Sequence, residues 1–143
     1  MFIGEYEHVL DIKNRTSMPA KYRELLGEKC ILTRGLDNCL FIYRLDDWQQ
    51  LEDKLRVLPI TSKDVRAFTR FFFASANECE FDKQGRIVIP STLKSYAGLN
   101  KEIVIIGVSN RIEIWDREKW NDYNNPDNLQ PDDIAEKMQQ LGI

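Results

Sequence analysis

The chain contains one nine-residue pattern twice, and this duplication limits the folds it can adopt more than any other feature. The pattern is Asp-x-x-x-Arg-x-x-x-Pro, and its copies occupy residues 11–19 and 82–90, 71 positions apart. A fixed internal period indicates one structural unit built twice, so any surface that the pattern forms is presented twice. Further partners continue the alignment, with one residue inserted after the first pair: Gly27 with Gly98, Gly35 with Gly107, and Trp48 with Trp120.

Length and composition predict an ordinary globular protein. With 143 residues and 43% apolar residues, the chain can bury a core as one compact domain or as two small modules. No apolar run approaches the length of a membrane helix, and the start lacks the layout of a signal peptide. Three cysteines without Cys-x-x-Cys spacing fit reduced thiols in a cytosolic protein, and with a single histidine they make a zinc site unexpected.

The charge is unevenly distributed. The net charge is −3 and the pI about 5.3, which is unlike a generic nucleic-acid binder. Residues 11–34 nevertheless hold six basic and three acidic side chains, and residues 82–101 hold four basic and one acidic, whereas residues 113–143 hold three basic and eight acidic. Each repeat therefore opens with a local excess of three positive charges, which either forms solvated surface or faces an anionic partner.

Each copy is predicted to begin with a strand and a tight turn, and to continue through a short helix into two more strands. Tyr6–Leu10 alternates loosely, as a strand does. Asn14 stands at the turn position that Gly85 holds in the second copy, and both residue types tolerate positive φ. Proline suits a helix start and glycine a helix end. The predicted helical turns are 20–26 and 91–97, and the strands are 86–90, 30–33, 39–43, 102–107 and 111–115.

Two helices are predicted between the copies and one after them. The first begins with Asp46 as its N-cap and stops at Pro59, and the second opens with a capping box of Thr61 and Asp64. A short amphipathic helix begins at Pro131. Aromatic side chains lie on more than one side of the second helix, so their surplus packs either within the monomer or against a neighbouring subunit. They are Phe68, Phe71, Phe72 and Phe73.

The doubled motif, its spacing and the start Met-Phe-x-Gly-x-Tyr resemble the MraZ family, part of the wider group of AbrB-like, swapped-hairpin DNA-binding proteins. The resemblance covers about residues 1–120, and Asn14 departs from it because the family pattern usually has glycine there. It implies an α+β, mainly β fold: two pseudo-symmetric AbrB-like swapped-hairpin repeats form a small double-split β-barrel, with helices between and after them. The expected segments are a first repeat with its following helix (1–60), a connecting helix (61–76), a second repeat (77–120) and a C-terminal loop with a short helix (121–143).

The resemblance also implies a function. Family members form rings, bind short direct repeats in the promoter of the division and cell-wall gene cluster, and regulate transcription, with their own operon expected among the targets. We therefore expect a cytoplasmic, nucleoid-associated, sequence-specific DNA-binding transcriptional regulator. Its expected partners are double-stranded DNA and further copies of itself in a ring-shaped homo-oligomer. No cofactor, metal ion, membrane or small-molecule substrate is expected.

The residue chemistry suits these roles. Arginine presents a planar fork that bonds a guanine edge or a phosphate in bidentate fashion, and lysine is a point charge suited to phosphate. The resemblance attributes binding to the motif arginines, and the charges beside each turn add one lysine. The expected DNA-binding residues are Arg15, Arg86, Lys13 and Lys83, and the expected motif-orienting residues are Asp11, Asp82, Asn14 and Gly85. In the alternative interpretation, each Asp–Arg pair only locks its hairpin.

Two other classes of function are alternatives to DNA binding. An oligomeric protein-interaction scaffold without direct DNA binding would suit the acidic pI and the aromatic helices. An enzyme is not expected, because catalysis leaves convergent polar groups, whereas His8 stands alone and no Gly-rich phosphate loop or metal spacing is present.

Overall fold

The computed structural model describes residues 1–143 as eight strands and six helices. The strands are β1 (Phe2–Val9), β2 (Arg15–Ser17), β3 (Lys29–Arg34), β4 (Leu40–Arg44), β5 (Asn77–Glu80), β6 (Arg86–Val88), β7 (Glu102–Ser109) and β8 (Arg111–Asp116). The helices are α1 (Ala20–Leu26), α2 (Leu45–Arg56), α3 (Lys63–Phe73), α4 (Ser91–Ala97), α5 (Arg117–Tyr123) and α6 (Pro131–Gln139).

The strands form one six-stranded antiparallel sheet, in the order β1-β7-β8-β4-β3-β5, and a separate two-stranded ribbon of β2 and β6. The first strand of each repeat pairs with the other repeat: β1 with β7, and β5 with β3. This exchange confirms the predicted α+β, mainly β class with two swapped-hairpin repeats. The pairings give an open sheet and a ribbon, without closing into a continuous barrel.

An internal pseudo-two-fold axis relates the repeats. In the ribbon the central pair is Thr16 with Ile87, two residues that the 71-residue period makes equivalent. In the sheet the central pair of β4 and β8 is Phe41 with Glu113, equivalent at the 72-residue offset. Because equivalent residues pair with each other at the centre of both ladders, the axis passes through the ribbon and the middle of the sheet.

Apolar side chains cover both faces of the sheet. Along β4, Leu40 and Ile42 belong to one core cluster, and Phe41 and Tyr43 belong to a second. The first cluster lies between the sheet and a layer made of the ribbon, α1 and α4. The second lies under α2, α3 and α5. The sequences of the central strands are therefore continuous apolar runs, because successive side chains point to opposite faces of the sheet and both faces are buried.

The structure corrects three local predictions. Helix α2 has Arg44 rather than Asp46 as its N-cap, and Asp46 lies in its first turn. The N-cap of α3 is Ser62, not Thr61; its Oγ accepts a hydrogen bond from the Val65 amide at 3.3 Å. The starts of α1, α4 and α6 agree with the predictions, since α1 and α4 each follow a proline and α6 begins at Pro131. Helix α5 was not predicted.

The third correction concerns the alignment of Gly35 with Gly107, which is shifted by one residue. The ladders place Gly107 opposite Ile112, and the equivalent pair in the first repeat is Arg34 with Leu40. The first hairpin therefore carries one more loop residue than the second. The second copy carries two more residues than the first between its short helix and the following strand, so the net insertion of one residue is the sum of two loop changes.

The aromatic surplus of α3 is largely buried within the monomer. Phe72 is buried, and Phe71 and Phe73 pack against the second core cluster beside Trp48 of α2. Phe68 packs against Phe72 in a tilted arrangement, with ring centroids 4.6 Å apart, but remains 40% exposed.

Candidate nucleic-acid interface

The first motif forms a tight loop organised by one carboxylate. Asp11 Oδ1 accepts hydrogen bonds from the backbone amides of Lys13 and Arg15, each at 2.9 Å. Its Oδ2 accepts one from Arg15 Nε at 2.7 Å. The Asn14 amide donates to the Asp11 carbonyl at 3.0 Å, and Asn14 has a φ of 59°. One aspartate thus closes the turn and fixes the arginine that follows it.

The second motif repeats this arrangement. Asp82 Oδ1 accepts from the amides of Gln84 and Arg86, each at 2.9 Å, and Oδ2 accepts from Arg86 Nε at 2.9 Å. The Gly85 amide donates to the Asp82 carbonyl at 3.0 Å, and Gly85 has a φ of 73°. Asparagine and glycine can occupy the equivalent position of the two loops because both residue types adopt the left-handed backbone conformation.

These hydrogen bonds lower the pKa of both carboxyl groups. The pKa of Asp11 lies below its ordinary value, chiefly because the Arg15 amide donates to the ionised form. The pKa of Asp82 is lowered in the same way, chiefly by the Arg86 amide. Both carboxylates are therefore ionised at neutral pH, and the loops are held in their closed form.

The β2–β6 ribbon presents the two motif arginines on its outer face. Thr16 and Ile87 are 1% exposed and point into the core. Side chains alternate along a strand, so Arg15 and Arg86 point away from the core. Ser17 is the ladder partner of Arg86, which puts the arginines two ladder positions apart, about 7 Å along the ribbon.

Each arginine keeps its outer edge available. The aspartates engage only Nε, and neither Arg15 nor Arg86 donates a hydrogen bond from its terminal Nη groups within the chain. The arginine side chains are 28% and 27% exposed. Each guanidinium group is thus held by an aspartate through Nε, and the free Nη donors of both arginines lie on the same surface.

Each loop is braced by the repeat to which it does not belong. Lys94 Nζ of α4 donates to Asn14 Oδ1 at 3.0 Å in the first loop. Arg23 of α1 lies against the second loop: a Cβ added to Gly85 would be 2.5 Å from Arg23 Nη1. Arg23 Nε also donates to the Met18 carbonyl at 3.1 Å. The basic side chains on α1 and α4 thus hold the loops across the internal axis.

Arg23 and Lys94 are site residues that the sequence prediction missed. They entered it only as contributors to the local positive charge. Their separation is 71 residues, the same as the motif period. A basic residue recurring at that period was the available signal, but only the exchange of strands shows that each reaches the opposite loop.

The expected lysines do not occupy equivalent positions. At the 71-residue offset Lys83 corresponds to Ile12, and Lys13 corresponds to Gln84. Both lysines are exposed, and Ile12 is 99% exposed at the tip of the first loop. The two loops share their backbone and their arginine, but present different side chains at their tips.

Other parts of the chain offer no competing centre of this kind. No group of three or more His, Cys, Asp or Glu side chains is arranged to hold a metal ion. His8 is partly buried on β1, and burial lowers its pKa. None of the helices combines the length and the apolar character needed to cross a membrane.

Comparison with known proteins gives one consistent result. The family model described as "MraZ protein, putative antitoxin-like" matches the chain twice, over residues 1–71 and 72–141. The chain is 61% identical to the "Transcriptional regulator MraZ" of Acetivibrio thermocellus, over 100% of both proteins. It is 57% identical to the protein of that name from Alkaliphilus metalliredigens and 60% to that from Clostridium tetani, again over the full length of each. These relatives are named as regulators rather than enzymes, in agreement with the sequence-based expectation.

Proposed function

The chain belongs to the MraZ family, and we propose that it is a DNA-binding regulator of transcription. The finer form of the proposal is sequence-specific binding, as a ring oligomer, to tandem promoter repeats of the division and cell-wall gene cluster, including its own operon. Such a protein acts in the cytoplasm, associated with the nucleoid. The names of its full-length relatives support the general activity.

The outer face of the β2–β6 ribbon is the observation that carries the proposal. A major groove about 12 Å wide admits a two-stranded ribbon, and an arginine fork can bond the O6 and N7 atoms of guanine. Arg15 and Arg86 stand on such a ribbon, related by the pseudo-two-fold axis and held through Nε by Asp11 and Asp82. Two forks fixed in advance lose little side-chain entropy on binding.

The remaining motif residues have supporting roles in this proposal. Lys13 and Lys83 are exposed beside the arginines and would contact phosphates, which positions the protein without reading sequence. Asn14 and Gly85 hold the turns in the left-handed conformation. Ile12 adds an exposed apolar side chain to one loop only, which suits contact with a thymine methyl group.

Assembly into a ring reconciles a small basic face with an acidic chain. One ribbon carries few positive charges, and the chain as a whole has a net charge of −3. Several copies in one ring, facing several DNA repeats, convert later binding events into intramolecular ones and raise the overall affinity.

The first test removes the arginine forks. Arg15→Ala and Arg86→Ala should each weaken binding to a promoter fragment with tandem repeats by about 1–3 kcal/mol, and the double variant should abolish it, with the oligomer retained. Fluorescence anisotropy measures the affinity, and native mass spectrometry measures the oligomer. Lys54→Ala, which removes a positive charge from the exposed surface of α2, is the matched control and should bind normally.

The same experiment decides between DNA binding and the scaffold alternative. Exposed apolar side chains on α3 and in the segment before it suit a scaffold that binds proteins alone, including Phe68 at 40% and Leu58 at 45% exposure. If the unaltered chain does not bind the promoter fragment, the scaffold alternative holds. If the double arginine variant binds the fragment as tightly as the unaltered chain, the ribbon is not the DNA-binding surface.

A further inference from the structure

The end of the α2–α3 hairpin forms an apolar groove with a basic rim. The groove has a volume of about 350 Å³, and its apolar lining includes Leu55, Leu58, Ile60 and Val65. Ile60 is 79% exposed and Leu58 45% exposed. A contiguous apolar surface of this kind on a helical hairpin is typical of a docking site.

Three arginines surround this groove. They are Arg56, Arg66 and Arg70. Arg56 pairs with Glu52 on the same helix, whereas Arg66 donates only to the carbonyls of Ile60 and Thr61, each at 3.1 Å. Arg70 has no acidic partner within the chain. The rim therefore keeps an uncompensated positive charge.

Helix α6 has the complementary properties and lacks a partner. It buries none of its residues, and Ile134 is 43% exposed. Ile134 and Met138 lie on one side of the helix at helical spacing, and Leu141 follows on that side just beyond the helix end. Asp132, Asp133 and Glu136 make its first turns acidic. A free helix of nine residues is marginal in water, so its amphipathic face needs a surface to pack against.

We propose that the acidic C-terminal helix α6 of one copy docks into the arginine-rimmed α2–α3 groove of the next copy. The chain's own α6 leaves the groove open. Groove and helix are different surfaces, so the contact is heterologous. Repeated head-to-tail contacts of that kind form a ring when the rotation between neighbours closes, and an open filament when it does not. The inference rests on the self-assembly in the proposed function and names the two elements that join.

The groove and the candidate DNA-binding ribbon lie on opposite faces of the sheet. Trp48, Leu51 and Phe73 pack the α2–α3 hairpin against the second core cluster, whereas Ile87 of the ribbon belongs to the first. Docking of a neighbour into the groove would therefore leave Arg15 and Arg86 uncovered. Assembly and DNA contact can be altered separately.

Charge reversal on each side tests the proposal. The groove variant is Arg66→Glu with Arg70→Glu, and the helix variant is Asp132→Lys with Asp133→Lys, both in the full-length chain. Native mass spectrometry should show each variant alone losing the assembled state of the unaltered chain. An equimolar mixture should regain it, because each reversed surface meets its reversed counterpart on another copy. Asp127→Lys, in the loop before α6, is the matched control and should assemble normally.

Three outcomes would overturn the proposal. Normal assembly of both variants would show that the contact is absent, or that α6 docks within its own chain. If the helix variant assembles normally and the groove variant does not, the groove of one copy contacts the groove of another and α6 is not involved. Failure of the mixture to regain the assembled state would exclude charge pairing between these surfaces. Because the helix variant changes only exposed residues, misfolding does not account for its result.

DNA binding separates this inference from the proposed function. Both charge-reversal variants should bind an oligonucleotide with a single repeat as the unaltered chain does, because the ribbon is unchanged. If the unaltered chain binds no promoter DNA while the mass results follow the expectation, the proposed function fails and the docking contact stands.

Discussion

At the residue scale, the Asp–Arg pairs fix geometry more than they stabilise the fold. Asp11 and Asp82 each accept two backbone amides and one arginine Nε, so one side chain determines both the turn and the direction of the guanidinium group. An exposed ion pair contributes little to stability, because water and salt screen the attraction. Holding the arginine in one direction is the larger effect of the pair in the proposed function, in which the arginine contacts DNA.

Acid titration should reveal this hydrogen bonding. The pKa values of Asp11 and Asp82 are lowered in the folded state, so their stabilisation of the loops is fully present above the unfolded value of about 3.9 and is lost as pH falls through the folded pKa. Carboxyl-carbon NMR should give both midpoints below that value, with loop order unchanged between about pH 5 and 8. In Arg15→Ala the pKa of Asp11 should stay lowered, because its largest cause is the backbone amide. A midpoint at the ordinary value would contradict the closed loop.

Gly85 should tolerate substitution less well than another glycine in the left-handed region. Gly85→Ala places a Cβ 2.5 Å from Arg23 Nη1 at a φ of 73°, whereas a Cβ at Gly27, with a φ of 81°, meets nothing within 4 Å. Gly27→Ala should cost only the strain of a backbone conformation that suits glycine, about 1–3 kcal/mol. Gly85→Ala should cost more, because the contact with Arg23 adds to its backbone strain. Urea unfolding measures both. Adding Arg23→Ala to Gly85→Ala should restore the stability lost to the contact with Arg23. If Gly27→Ala and Gly85→Ala lower the free energy of unfolding equally, the Arg23 side chain moves away freely.

At the element scale, the exchange of β1 between repeats is secured by one residue of α1. The Tyr22 side chain is fully buried, and its hydroxyl lies 2.7 Å from the Ile3 carbonyl and 2.9 Å from the Gly4 carbonyl of β1. Burial raises the pKa of Tyr22 to about 12, so the hydroxyl keeps its proton and donates. Gly107 of β7 permits this approach, because a Cβ there would be 2.7 Å from the same oxygen.

Tyr22→Phe should weaken the attachment of β1. Removing the buried donor leaves its carbonyl partners without this hydrogen bond, which costs about 1–3 kcal/mol. Chemical denaturation should show that loss, and amide hydrogen exchange should quicken along β1 and β7. Tyr123→Phe, at a side chain that is 41% exposed, should change stability little. Equal effects at the two positions would show that the hydroxyl contacts do not hold the strand.

At the scale of the whole molecule, the two faces of the sheet carry different tasks in our proposals. One face bears the ribbon with Arg15 and Arg86, and the other bears the α2–α3 hairpin with its open groove. The pseudo-two-fold axis makes the ribbon nearly symmetric, whereas the helices break the symmetry, because only the first repeat is followed by a second long helix. A near-symmetric ribbon for DNA contact and an asymmetric helical surface for assembly would suit a protein whose copies bind successive DNA repeats.

Binding should depend steeply on salt and on the number of DNA repeats. If several ribbons contact phosphates at once, the logarithm of the affinity falls with the logarithm of salt concentration by about 0.9 for each phosphate contacted. Anisotropy titrations at several salt concentrations should give a steeper slope for tandem repeats than for one repeat, together with a higher affinity. A duplex of scrambled sequence and equal length is the control. Equal affinity for single and tandem sites would contradict avidity.

Much of the fold was readable from the repeated pattern. Asp, Arg and Pro at a fixed period located both turns, and helices α1 and α4 begin after Pro19 and Pro90, as predicted. These features depend on neighbours in the chain. The N-cap of α2 and the alignment of Gly35 with Gly107 were predicted wrongly, because both depend on packing that a local pattern does not contain.

The sequence by itself determined that one unit is built twice, which side chains accompany each turn, and that each loop carries an Asp–Arg pair. Tertiary structure decided which strand pairs with which, and therefore that Arg15 and Arg86 share one ribbon face and that Arg23 and Lys94 brace the opposite loops. The physical reason is range: hydrogen bonds within a turn join residues a few positions apart, whereas strand exchange joins residues 45 to 107 positions apart through burial of a shared core.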